Sequence, residues 1–375
     1  MSERAALISV SDRTGLVPFA KELQSLGFKL LATSGSGKAL VEAGCEVVAI
    51  EQYTGQAEIL DGRVKTLHPK IHAGLLAKRS KPEHLAQLDS AGIWPIDIAV
   101  VNLYPFIEQV RSAAAQSPEK MIEFIDIGGP TMIRAAAKNC AGVLAVIDPA
   151  DYPAVVEFLK VGSAKGMKEQ QFRTYLASKV FTAIARYDME IARYVSLVAE
   201  SPEGTPNLES FAETEGLILE RSQALRYGEN PAQKAALYRS SGTSATGASA
   251  AWTQHQGKEL SYNNMLDLDA TSRLLESVRG AKPTAVIIKH ANPCGVATGN
   301  SLLDALQKAK LCDPRSHFGG ILGFSEEVTA EVAANIREDF AEVVLAPSYS
   351  EEALKVLGTA KNLRVISYSK GAIAK

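Results

Sequence analysis

Long hydrophobic runs are missing from this chain of 375 residues: the first apolar stretch, Ala5 to Val10, is too short for a secretory leader. No later stretch approaches the roughly 20 residues that a bilayer-spanning helix needs, so the expected protein touches no membrane and is cytoplasmic. Paired cysteines are missing too. Cys45, Cys140, Cys294 and Cys312 stand far apart with no C-x-x-C pair, which excludes a zinc knuckle and a redox dithiol and predicts reduced structural thiols. An excess of one charge is also absent. Forty Lys and Arg against 42 Asp and Glu give a net charge of −2, and a sequence pI of about 6.4 argues against a nucleic-acid partner, which favours a broad basic surface.

What is present is 46% hydrophobic and 22% charged residues, enough for two or three ordinary cores. The first half alternates short β-branched runs with helical patterns, the mark of a parallel sheet covered on both faces. Strands are expected at Leu7–Val10, Lys29–Ala32, Glu46–Ile50, Asp97–Asn102 and Val143–Ile147. A helix bearing Leu16, Phe19, Ala20, Leu23 and Leu26 should end at Gly27, and a long helix is expected over 168–199. The polar, proline-bearing Ser201 to Asn207 then reads as a linker between a domain of residues 1–199 and one of residues 200–375. The second domain returns to α/β alternation: helix 263–278, strand Thr284–Lys289, helix 301–311, strands Gly320–Phe324 and Glu342–Leu345, helix 350–358. The small-residue stretch 240–250 reads as a surface loop.

One stretch is unlike the rest. Between Asp61 and Arg79 stand five Lys or Arg and one acid, with a proline and no apolar period, so the segment reads as a site for a small anion rather than as core. An extended Arg63-Val64-Lys65 would point both cations to one face, and their repulsion would lower the lysine's pKa; the plain alternative is a solvated basic turn. His68 and His72 have chelating spacing, but Pro69 and Gly74 argue against a regular helix and no third ligand follows.

Other groups fall at strand ends, where open α/β sheets bind ligands. Ser9, Ser11 and Arg13 follow the first strand. Thr33, Ser34, Gly35 and Ser36 follow the second and either cradle a phosphate or make a simple turn; Ala32 and Ala39 exclude a nucleotide P-loop. Asn102 and Tyr104 close the fourth strand. Asp126 precedes Gly128, Gly129 and Pro130, the parts of an oxyanion hole at a helix start, with Arg134 and Lys138 on one face beyond; Asp126 is either an acid–base group or a helix-dipole partner. In the second domain, a buried strand delivers Lys289, His290 and Asn292 into a proline turn, with Lys289 expected to hold His290 neutral.

Seven motifs, GRVKTLHP, NLYPF, DIGGPTMIRAAAKN, LRYGENPAQ, LSYNNMLDLDA, KHANPCGVA and DPRSHFGG, occur in an order that resembles the bifunctional AICAR transformylase/IMP cyclohydrolase family from about Leu7 to about Ile366. The resemblance implies a methylglyoxal-synthase-like first domain that closes the ring of a formamido ribotide to IMP. In it, Lys65, Tyr104, Asp126 and Lys138 would be catalytic, and Ser11, Arg13, Ser34 to Ser36, Arg63, Thr66 and Asn102 would surround the ribotide. Family members often read TGGT where this chain has Thr33-Ser34-Gly35-Ser36. The second domain would be a cytidine-deaminase-like transformylase fold using 10-formyltetrahydrofolate, with Lys289 and His290 moving protons and Arg226, Tyr227 and Asn264 holding ribotide. No second Cys follows Pro293-Cys294 within reach, so no metal is expected there. Family members continue beyond the position of Lys375, which implies a missing second deaminase-like subdomain, an intact cyclohydrolase and an impaired transformylase. A homodimer is also implied. The alternative from another class is a regulatory module that binds a phosphate effector on the same sheet without turnover.

Overall fold

The computed structural model describes residues 4–112, 117–202, 204–240, 252–278 and 280–369, in two compact units, Met1–Gly216 and Leu217–Lys375. The expected loop 240–250 lies outside the described residues apart from Ser240, which ends a strand.

In the first unit, β1 (Arg4–Ser9), β2 (Phe28–Ala32), β3 (Val47–Ala49), β4 (Ile96–Val101) and β5 (Leu144–Val146) form one parallel sheet in the order β3-β2-β1-β4-β5. Every one lies within three residues of its expected bounds, because strands buried on both faces read as unbroken apolar runs. Side chains alternate across the sheet. Ala6, Ile8, Leu30, Ile98 and Val100 pack with Phe19, Leu23, Val155 and Phe158 on one face. Ala5, Leu7, Leu31, Ala99 and Val101 pack with Ile71, Leu75, Met132 and Ile133 on the other. The Leu16–Ser25 helix ends as expected, with Gly27 at φ +83.

The long helix runs Glu169–Glu200 and serves three cores in succession: Phe172 and Leu176 in the first, Ala177, Val180 and Ile184 in the second, Tyr187 and Tyr194 in a third around Phe106. The chain beyond it stays on this unit, because Arg193 Nη2 donates to the carbonyls of Leu208 and Ser210 at 3.0 and 3.2 Å.

The segment after Asp61 departs from expectation. Pro69–Leu76 is a regular helix with Pro69 in its first turn and His68 as N-cap, its Nδ1 accepting the Lys70 N–H at 3.2 Å. Ile71 and Leu75 are fully buried, and Gly74 is in the helix because a Cβ there would stand 2.7 Å from the Trp94 carbonyl oxygen. The cations are mostly engaged. Lys70 donates to Tyr53 O, and Arg79 to the carbonyls of Ala77, Gly74 and Ile96. The later part of the expected anion site is therefore a helix that packs on the core through Ile71, Gly74 and Leu75.

The second unit has a six-stranded mixed sheet in the order Trp252–Gln256, Arg364–Tyr368, Val343–Ala346, Ile321–Phe324, Thr284–Lys289, Asn292–Thr298. A separate hairpin pairs Leu219–Leu225 with Ala235–Ser240. The expected proline turn is instead a two-residue hairpin: Lys289 pairs with Asn292, His290 and Ala291 turn the chain at φ +54 and +59, and Pro293 sits inside an edge strand, where its missing N–H costs nothing. Because a left-handed conformation strains alanine and suits glycine, Ala291→Gly is expected to stabilise this unit by about 1 kcal/mol. Urea unfolding of the full chain with a midpoint unmoved or lowered would contradict that.

Candidate active site

In the order β3-β2-β1-β4-β5 the chain reverses its direction of travel between β1 and β4, so their carboxyl ends frame a crevice of the kind that holds ligands. The loops there are tied together. Asn102, just after β4, accepts at Oδ1 from the N–H groups of Ser11 and Asp12 at 2.6 and 3.0 Å and donates to Asp12 O at 2.8 Å. Thr33 Oγ1 donates to Ser9 Oγ at 3.3 Å. Ser36 is buried, its hydroxyl accepting from Val10 N–H and donating to Val10 O, so the side chain fixes the loop and only its backbone faces a ligand. The Ser34–Glu42 helix starts here, and its first N–H groups have no partner within the helix. The exposed Arg13 guanidinium reaches across this start, 3.2 Å from where a Gly35 Cβ would stand.

Lys65 closes the next side. Its ammonium donates to Ser34 Oγ, sits 2.8 Å from Glu58 Oε2 and 3.3 Å from Glu51 Oε1. Burial works to lower its pKa, but the Glu58 hydrogen bond and the Glu51 charge outweigh it, so the pKa is raised rather than lowered as expected. Arg63 has a different partner: its guanidinium pairs with Glu123. Neighbouring acids, invisible as partners in the sequence, thus replace the repulsion between cations.

Thr66 is buried with its Oγ1 against Gly128, where any Cβ would stand 2.6 Å from it. Gly129 donates its N–H to Asp126 Oδ1 at 2.8 Å, and the Tyr104 N–H also donates to that carboxylate. Burial raises the Asp126 pKa against the pull of these two hydrogen bonds. The Tyr187 hydroxyl accepts the Asp126 N–H at 2.7 Å and donates to Phe124 O, and burial pushes its own pKa up to about 12. The Tyr104 side chain is 56% exposed, free to meet a ligand.

Contacts thus tie neighbouring segments together: Arg13 to Gly35, Ser34 to Lys65, Thr66 to Gly128, Asp126 to Gly129 and to the Tyr104 backbone, and Asn102 to Ser11. None of these contacts involves Lys138. As the last residue of the eleven-residue Gly128–Lys138 helix, it stands roughly 15 Å along the axis from Gly128, towards the opposite edge of the sheet. Sequence reading missed Glu51, Glu58 and Tyr187. Tyr187 falls on an apolar helical stripe, and both glutamates lie outside any motif, so only their placement beside Lys65 reveals them.

In the second unit, Lys289 Nζ donates to Phe318 O at 2.9 Å, the exposed His290 heads the hairpin, and Asn292 Nδ2 donates to His290 O at 2.8 Å. Asp267, in the Tyr262–Ser277 helix, accepts the Ala291 N–H at 2.6 Å. The same helix start meets Tyr227, whose carbonyl accepts the Tyr262 N–H, while Arg226 donates to the Tyr227 hydroxyl at 2.8 Å. Asn264 is buried and already satisfied: its Oδ1 accepts from Ser261, its Nδ2 donates to Glu342, and it completes the capping box of the helix. Cys45, Cys140, Cys294 and Cys312 are free thiols. Among the described residues no helix is long and apolar enough to cross a membrane, and no three His, Cys, Asp or Glu cluster as a metal would need.

The first unit is thus an α/β domain whose parallel sheet gathers helix-start N–H groups, hydroxyls, an arginine and a pair of titratable groups at one edge. An MGS-like domain model matches residues 15–131 and the AICARFT/IMPCHase bienzyme model matches residues 136–374, and the chain belongs to the AICARFT/IMPCHase bienzyme family. That family acts in purine biosynthesis on small-molecule ribotides. A solved structure entitled "Crystal structure of ForH" is 34% identical over 51% of this chain and 98% of that one, with a TM-score of 0.43.

Proposed function

We propose that the first unit is an IMP cyclohydrolase that closes the ring of the formamido ribotide, and that the second serves formyl transfer from 10-formyltetrahydrofolate to AICAR through Lys289 and His290. The supporting observation is the series of contacts that ties the segments bearing Lys65, Asp126 and Tyr104 to the loops at the carboxyl ends of β1, β2 and β4. In ring closure the carboxamide nitrogen attacks the formyl carbon and loses one proton, the formamido nitrogen loses the other as a C=N bond forms, and the former formyl oxygen departs with both as water. Arg13 and the N–H groups opening the Ser34–Glu42 helix suit the ribotide phosphate. Lys65, kept an ammonium by Glu51 and Glu58, suits the developing oxyanion and the leaving hydroxyl. Asp126, desolvated and a stronger base than an ordinary aspartate, suits the carboxamide nitrogen's proton, and the exposed Tyr104 phenol offers a further hydrogen bond. Lys138 stays outside this assignment because of its distance.

Ultraviolet absorbance follows cyclisation of the formamido ribotide by the purified chain. Wild-type turnover is expected, with kcat in Lys65→Ala reduced about 10²–10³-fold, the usual loss on removing one oxyanion-stabilising group. Ribotide binding without turnover would instead favour a phosphate-effector module.

A further inference from the structure

The opposite edge of the first sheet carries a second concavity. A cavity of about 440 Å³ opens among Arg4, Phe28, Asp97, Leu144, Leu159 and Arg173, within the range of small-molecule sites. Arg4, Phe28 and Leu144 are the first residues of β1, β2 and β5, and Asp97 is the second of β4. The six-residue length of β1 therefore separates this cavity from the Ser11–Asn102 crevice by roughly 17–20 Å.

Its polar groups are unevenly satisfied. Arg173 is 84% buried by side chain, as its 16% exposure states, and its Nε is 3.0 Å from Glu169 Oε1. Its guanidinium carbon lies 5.2 Å from the Phe158 ring centroid, and its Nη1 is buried with no hydrogen-bond partner among the protein atoms. Arg4 is exposed at the mouth, its guanidinium 4.0 Å from the Phe28 ring centroid, and its charge also acts on the Asp97 carboxylate. Asp97, by contrast, is answered: it accepts the Ala5 N–H and has Arg79 Nε at 3.6 Å. The cavity therefore offers one buried guanidinium N–H without an acceptor, on Arg173, and the exposed Arg4 guanidinium, beside an apolar wall of Phe28, Leu144 and Leu159. Fork-shaped guanidinium groups match carboxylate and phosphate oxygens in pairs.

We propose that this cavity binds a small organic anion, its phosphate or carboxylate held by Arg173 and Arg4 and its flat or aliphatic body laid against Phe28, Leu144 and Leu159. The site is separate from the ring-closure crevice and does not depend on the reaction assigned there.

Titration calorimetry of the full chain with phenyl phosphate, benzoate and inorganic phosphate tests it. Phenyl phosphate or benzoate is expected to bind at a site that survives Arg13→Ala and is weakened at least tenfold by Arg173→Met, which keeps the apolar stem. Inorganic phosphate, lacking the apolar body, should bind this site at least tenfold more weakly than phenyl phosphate. Preference for phenyl phosphate or for benzoate tells which head group the arginines select. Arg173→Met should retain wild-type kcat/KM for cyclisation. Leu159→Trp, which fills the cavity and spares both arginines, should abolish the same binding, and this covers the case of an unfolded Arg173 variant. Binding unaffected by both variants, or abolished by Arg13→Ala alone, would overturn the proposal.

Discussion

Asp126→Asn is expected to lower kcat for ring closure by about 10²–10⁴-fold, the usual worth of a positioned general base, while leaving KM for the ribotide within a few-fold. The substitution is nearly isosteric. An asparagine Oδ1 still accepts the N–H of Gly129, and the Tyr187 contact is to the backbone of residue 126, so the loop should keep its shape. What is lost is the ability to take a proton. The raised Asp126 pKa also fixes the pH signature: as pH falls through that raised value the carboxylate fills with a proton and the rate drops, so the acid limb of the profile lies above that of an ordinary aspartate. The Asn variant should show its residual rate without that limb. A wild-type profile with its limb unchanged in the variant would remove Asp126 from the chemistry.

Gly295→Ala should destabilise the second unit by about 3 kcal/mol or more, at the upper end of what overpacking costs. Gly295 lies in the Asn292–Thr298 strand, and a Cβ there would stand 2.2 Å from the carbonyl oxygen of Ala309 and 2.9 Å from its carbon, both backbone atoms of the Leu302–Cys312 helix. Backbone cannot swing aside as a side chain can, so strand and helix must separate. Gly280→Ala, which meets nothing within 4 Å, is the control and should fall within about 0.5 kcal/mol of wild type. Equal urea midpoints for the two variants would show that the strand and helix are less closely packed than described.

The parallel sheet was readable because its central strands carry apolar runs, Ala5–Ile8, Leu30–Ala32 and Ile98–Val101, buried on both faces. Where one face meets solvent, the reading failed. Leu219–Leu225 is largely exposed, and Asn292–Thr298 carries a proline that only an edge strand tolerates, so neither resembles a buried run. The Pro69–Leu76 helix was hidden for a related reason: Gly74 reads as a breaker, yet its place is set by the approach of Trp94 and Ile96 from elsewhere in the chain. At the candidate site, residue types at strand ends and the family motifs pointed to Lys65, Tyr104 and Asp126. Their electrostatics were not legible, since the Lys65 pKa is governed by Glu51 and Glu58, 14 and 7 residues away in sequence. Nor does a motif reveal that one helix carries Lys138 away from the group it adjoins in sequence.

The Glu169–Glu200 helix touches both edges of the first sheet, with Arg173 at one cavity and Tyr187 on the Asp126 loop 14 residues later, about 21 Å along a single axis. No proline interrupts it between those points, so a single unbroken helix, seated on three cores in turn, sets where the Tyr187 hydroxyl stands against the Asp126 loop.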